Sequence, residues 1–248
     1  MKLPSGIHIG TSGWNYDGWK GAFYPEKTTG PRMLDEYARH FGTVEVNGTF
    51  YSLPEADTVE DWTGRVPDDF IFSVKASRYI THMKKLKDPR EPLGKLYRVL
   101  EAFGDRLGPV LFQLPPSWNR NPERLKQFLE CLSRDYRYTF EFRDDSWHCE
   151  DVYELLAGHD AALCFYDYEE RQSPEKMTTD FAYIRLHGPE AQAYQGSYSD
   201  DAMEEWARKI LNWRKSGQSV FCYFDNDEKA RAPGDARRLR DLIRAMDT

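Results

Sequence analysis

The chain has 248 residues, of which 40% are hydrophobic, 15% aromatic and 30% charged, enough apolar material for one large core at about the size of a single eight-stranded barrel domain. No apolar run approaches the roughly 20 residues of a membrane-crossing helix, and Met1–Ser5 lacks the apolar segment of a secretion signal, so a membrane protein is excluded and a cytoplasmic location is expected. A net charge of -7 disfavours a polyanionic partner, leaving a local basic patch as the route to any nucleic acid.

In chain order, Ile7–Gly10 reads as a first β-type run, followed by helical periodicity over Pro31–Phe41 and a second strand over Thr43–Asn47. Phe70–Lys75 is the third strand, Pro92–Phe103 a helix, Val110–Leu114 the fourth strand and Pro122–Leu132 the next helix. Tyr138–Phe142, a helix over Val152–Ala157, and Ala161–Tyr166 follow. Phe181–His187, a helix over Asp200–Arg214, Ser219–Phe224 and a helix over Ala232–Met246 complete the pattern. Several helices open on proline, whose missing N–H costs nothing in a first turn. Eight strands alternating with helices predict parallel βαβ units closed as an α/β, (β/α)8 TIM-type barrel, a single domain over residues 1–248 with no linker or low-complexity segment.

Within the strands, polar and apolar residues alternate: Val44-Glu45-Val46-Asn47, Phe140-Glu141-Phe142-Arg143 and Ile184-Arg185-Leu186-His187 each carry one apolar and one polar face. In a barrel the apolar face meets the helices and the polar face points inward. The same reading places Ser73, Lys75, Gln113, Tyr223 and Asp225 inside, with His8 and Ser12 beside the first strand. Inward charges are costly unless they pair or sit at the mouth formed by the C-terminal strand ends, where barrels of this type carry their active sites.

Several motifs carry a family resemblance: Ile9-Gly10-Thr11-Ser12-Gly13-Trp14, Phe23-Tyr24-Pro25, Val44-Glu45-Val46-Asn47 with Thr49-Phe50-Tyr51, and Phe72-Ser73-Val74-Lys75 with Thr81-His82. Phe112-Gln113-Leu114-Pro115-Pro116, Glu141-Phe142-Arg143 with Ser146-Trp147, Arg185-Leu186-His187-Gly188 and Tyr223-Phe224-Asp225-Asn226 continue it. The chain resembles the YecE-like family, domain of unknown function 72, over nearly its whole length. That resemblance implies a TIM-type barrel and supplies a fold without a reaction. The chain departs from the family pattern at Lys229–Ala236, after the last strand.

The candidate catalytic residues are Glu45 and Glu141, either one a general base, and His187, which exchanges protons near neutral pH. The candidate ligand contacts are Trp14, Asn47, Lys75, Gln113, Arg143, Trp147, Arg185, Tyr194 and Asn226. Arg143 and Arg185 offer planar forks for a carboxylate or phosphate, which points to a small polar or anionic ligand. The rival account for Glu141 and Arg143 is mutual neutralisation on one strand face; for the loop tryptophans it is pinning of the loops. Cys131, Cys149, Cys164 and Cys222 are scattered without a zinc-type spacing and read as free thiols. The histidines are isolated, so no metal site is assigned, and no cofactor is identifiable. The Lys84-Lys85-Leu86-Lys87 run reads as a solvated loop face or an anion contact. The expected function is an enzyme of hydrolase or isomerase type. The alternatives are a nucleic-acid-binding or DNA-processing barrel resembling abasic-site endonucleases, and a non-catalytic ligand-binding protein.

Overall fold

The computed structural model describes residues 3–169 and 171–247. The fold is α/β and of the TIM-barrel type expected, with eight strands of the parallel set alternating with helices along the chain. They are β1 (Ile7–Thr11), α1 (Gly30–Ala38), β2 (Thr43–Val46), α2 (Gly48–Tyr51), α3 (Ala56–Gly64), β3 (Ile71–Lys75), α4 (Arg90–Glu101) and β4 (Leu107–Leu114). The chain continues through α5 (Pro122–Leu129), β5 (Tyr138–Phe142), α6 (Glu150–Ala157), β6 (Ala161–Tyr168), β7 (Arg171–Gln172), β8 (Phe181–Leu186), α7 (Asp200–Lys215), β9 (Ser219–Phe224) and α8 (Arg231–Met246). The short β7 is an extra strand that pairs antiparallel with the end of β6.

The chain divides into two compact units. The first contains Met1–Val44, Phe165–Ser173 and Asp180–Thr248. In it β9 lies hydrogen-bonded in parallel between β1, with Ile7 opposite Val220, and β8, with Phe181 opposite Ser219. The apolar sides of β8 and β9 are fully buried, and Met203, Trp206, Ala207 and Ile210 of α7 sit at the i, i+3, i+4, i+7 spacing that lays one helix face into a core. Gly10 lies in β1 where a Cβ would fall 2.2 Å from the Thr43 carbonyl oxygen, so the strand passes its neighbour only without a side chain. Tyr37 of α1 closes this corner: its hydroxyl accepts from the Thr11 N–H at 2.9 Å and donates to the Thr43 carbonyl at 3.0 Å. Burial pushes its phenol well above the usual tyrosine range.

The second unit contains Glu45–Cys164 and Pro174–Thr179. Here β4 pairs in parallel with β3 and β5, with Gln113 opposite Glu141, and β5 pairs with the start of β6. Phe112, Phe128, Phe140 and Phe142 form an aromatic layer, Phe112 stacking on Phe140 at 5.3 Å. The Asn121 side chain accepts from the Arg124 N–H at 2.9 Å and so caps α5, with Pro122 in the first turn.

The strands keep their expected positions, β4 opening earlier at Leu107 and β6 running on to Tyr168. Helices α1 and α5 end before Phe41 and Leu132; after α1 the buried Phe41 carries the apolar spacing past the last helical turn. Tyr79–Met83 is a π-helical turn, a form with no sequence signature in apolar spacing.

Candidate acid–base site

In the first unit, alternation along β8 puts Arg185 and His187 on one face, and β9 delivers Asp225 just beyond its last residue. Arg185 is 1% exposed. Its Nη2 donates to Asp225 Oδ2 at 2.8 Å and to Ser12 Oγ at 3.3 Å, and its Nη1 donates to His187 Nε2 at 3.1 Å. His187 Nδ1 lies 3.0 Å from the same Asp225 Oδ2. A guanidinium only donates, so Nε2 is the ring's acceptor and the proton of the neutral imidazole sits on Nδ1, the side of the carboxylate. The buried cation thus pairs with the buried anion and also donates to the ring. The ring of His187 is met edge-on by Tyr168 at 5.3 Å and Tyr194 at 5.7 Å.

Two further carboxyls of this unit have raised pKa values. Asp227 is pushed up to about 6, first by burial and then by the negative charge of Asp225. Its carbonyl oxygen accepts from the indole N–H of Trp19 at 3.1 Å, and Trp19 is itself buried. Asp167 is raised by burial, against hydrogen bonds from Gln172 and Tyr198 that lower it. Asp227 is absent from the sequence-based set, because its raised pKa comes from burial and from the Asp225 charge in the folded chain.

The loop after β8 is tied down. Gly188 has φ +103°, and a Cβ there would lie 2.0 Å from the Gln195 carbonyl oxygen, so this turn admits only glycine. The Tyr194 N–H donates to the His187 carbonyl at 2.7 Å, and Tyr194 is 43% exposed above the ring. Asn226 is fully buried, and its Nδ2 donates to the Gly196 carbonyl at 2.9 Å and to Asp235 Oδ2 at 2.8 Å. Asp235 of α8 also accepts from the Tyr198 N–H at 3.1 Å, from Ser197 Oγ and from Arg238 Nη1 at 2.9 Å. Asn226 thus holds the loop through its amide, and Asp235, within the divergent Lys229–Ala236 segment, is the clasp that sequence reasoning missed. Trp14 is half-buried, and its carbonyl accepts from the Tyr24 hydroxyl at 2.6 Å.

The second unit brings together a different set. Arg143 Nε donates to Glu141 Oε1, and Cys164 Sγ lies 3.9 Å from Glu141 Oε2; Glu141 and Cys164 are fully buried. Glu45 is fully buried on β2, while Asn47, Lys75 and Gln113 are half-buried at their strand ends. The Asn47 side-chain oxygen has no hydrogen-bond partner among the described residues. Lys75 Nζ lies 4.5 Å from the Phe50 ring centroid, and the same ring meets His82 edge-on at 5.0 Å. Burial lowers the His82 pKa, and the charges of Lys75 and Arg78 lower it further. Trp147 is fully buried, stacked on Phe142 at 5.0 Å, and donates its indole N–H to the Trp118 carbonyl at 2.6 Å. It is a packing residue of this unit's core. All four cysteines are free, and among the described residues no group of three or more His, Cys, Asp or Glu is arranged to hold a metal ion.

Parallel strands linked by helices define a TIM-type α/β barrel protein with titratable residues at its strand ends. More particularly, the chain belongs to the DUF72 family of proteins of unknown function, whose family model matches residues 8–248. It is similar to the UPF0759 protein YunF of Bacillus subtilis (strain 168), 24% identical over 96% of this chain and 94% of that protein. It is also similar to the UPF0759 protein YecE of Escherichia coli (strain K12), 31% identical over 55% of this chain and 48% of that protein. Among solved structures, a DUF72 family protein from Thermotoga maritima MSB8 matches with a TM-score of 0.85 and 28% identity, covering 98% of this chain and 99% of that one.

Proposed function

We propose that this protein is an enzyme of hydrolase or isomerase type that acts on a small polar or anionic substrate by acid–base chemistry at the C-terminal ends of β1, β8 and β9. The observation that carries the reading is the Asp225–Arg185–His187 assembly with Asp227 two residues on. Asp225 is held by Arg185 as an ionised carboxylate, whereas Asp227 keeps its proton up to about pH 6. Two carboxyls set apart in this way divide the roles of base and acid. His187, with its proton on the Asp225 side, relays between them and the substrate. Tyr194 and Trp14 supply aromatic surface beside the site. Arg185 is saturated by its own neighbours, so it positions Asp225 and His187. The proposed setting is the cytoplasm.

The test is a screen of sugar phosphates and small carboxylates by ligand-induced thermal stabilisation and turnover. Asp227→Asn is expected to keep the fold and ligand binding while turnover falls by about 10²-fold or more, the usual loss on removing a general acid. Unchanged turnover in Asp227→Asn and in His187→Gln would refute the assignment.

The Glu141–Arg143 pair supports a second, structural reading for the inner charges of the other unit. Both side chains are buried and paired with each other. Replacement of the pair by Leu and Met is expected to leave stability unchanged or raised, since well-packed apolar residues often match a buried ion pair.

A further inference from the structure

Away from these strand ends, a groove of about 580 Å³ opens in the second unit between the segment that follows β3 and helix α5. Such a volume lies within the range of about 300–1,000 Å³ typical of small-molecule sites. Four cations line it: Lys84, Lys87, Arg90 and Arg124. Two acids also line it, and each is engaged: Asp88 faces Lys84 at 3.8 Å, and Glu91 is bonded to Lys95 at 2.7 Å. Lys87, Arg90 and Arg124 make no ion pair among the described residues. In a chain of net charge -7, three uncompensated cations around one groove are a local reversal of sign.

Tyr79, 44% exposed, forms part of the same wall, with Lys84 Nζ 5.9 Å from its ring centroid. The wall is built on an unusual backbone. Lys85, Leu86 and Asp88 have φ of +46°, +63° and +47°, left-handed values that each cost a non-glycine residue about 1 kcal/mol or more. Leu86 is 1% exposed and anchors the turn, its N–H donating to the Ile80 carbonyl at 2.9 Å. Directly before it, the π-helical turn carries Tyr79. Anchored strain of this kind fixes the positions of Tyr79, Lys84 and Lys87 relative to Arg90 and Arg124.

We propose that this groove binds a phosphorylated small molecule bearing a planar ring, with its phosphate on Arg124, Arg90 and Lys87 and its ring on Tyr79. A guanidinium matches phosphate through paired N–H donors, and a half-exposed tyrosine offers one face for stacking. This site is independent of the acid–base assembly.

The experiment is titration calorimetry of the full chain at low salt with adenosine 5′-monophosphate, ribose 5-phosphate and adenosine. The nucleotide is expected to bind saturably and more tightly than either half. Arg124→Glu is expected to weaken the nucleotide and ribose 5-phosphate alike by about tenfold or more, and Tyr79→Ala to weaken only the nucleotide. Both positions lie at the surface of the groove, and circular dichroism checks that each variant folds. Asp225→Asn is expected to leave all three titrations unchanged. Failure of the nucleotide to bind, binding indifferent to Arg124→Glu, or binding lost in Asp225→Asn alone would each overturn the proposal. Preferential binding of a single-stranded oligonucleotide with a steep salt dependence would also overturn it, because it would show a polyanion track instead of a single-phosphate site.

Discussion

Replacing Asp227 with asparagine should stabilise the protein at neutral pH and leave it unchanged in acid. In the folded chain this carboxyl is raised from 3.8 to about 6 by burial and by Asp225. The folded state therefore binds more protons than the unfolded chain between about pH 4 and pH 6. A group with a raised folded pKa contributes its full stability below its unfolded value and loses that contribution as pH rises through the folded one. At about 1.4 kcal/mol per tenfold change in proton affinity, the rise corresponds to about 3 kcal/mol of destabilisation above pH 7. Asp227 is only partly buried, and solvent screening reduces this to about 1 kcal/mol. Asparagine has nearly the shape of the protonated acid and carries no charge to desolvate. Urea unfolding of wild type and Asp227→Asn at pH 4 and pH 8 measures the effect, since carboxyls away from Asp225 and Asp227 titrate alike in both proteins. A stability difference of the same size at both pH values would show that the charge of Asp227 is not what the fold opposes.

Other substitutions test the remaining parts. Arg185→Met alone should cost about 3–5 kcal/mol in chemical denaturation, because it leaves the Asp225 charge buried without its partner; adding Asp225→Leu should recover a large part of that loss. Trp147→Ala should cost about 3–5 kcal/mol by the same measurement, as it empties the space beside Phe142. Gly188→Ala should lower stability by about 1–3 kcal/mol, because the backbone must shift away from Gln195, and thermal melts read the change directly. Asp235→Ala should raise hydrogen exchange in residues 189–198 well before it affects β8, since four donors lose one shared acceptor.

The strands were legible because each carries an apolar face set by burial, and that face repeats every second residue. Tyr138–Phe142 and Ser219–Phe224 match residue for residue. Helix α3 escaped notice because only Val59 and Thr63 of its nine residues are buried, too few to mark a periodic stripe. The two residues of β7 are exposed and carry no alternation at all. At the strand ends, spacing alone placed Glu141 beside Arg143 and Arg185 beside His187, since residues two apart share a strand face. It could not tell a free cation from a saturated one. That distinction depends on Asp225, which reaches Arg185 across 40 positions of sequence. The raised pKa of Asp227 and the role of Asp235 likewise arise from neighbours that only folding supplies.

The clasp at Asp235 has a consequence for how the molecule is made. The loop beginning at Gly188 is synthesised well before α8, yet the carboxylate that holds Ser197, Tyr198 and Asn226 belongs to that helix. During translation the His187 loop therefore emerges without its Asp235 clasp and gains it only once the helix has left the ribosome and docked. A chain halted before residue 231 would carry Ser12, Arg185, His187, Asp225 and Asp227 and still lack the Asp235 clasp on that loop.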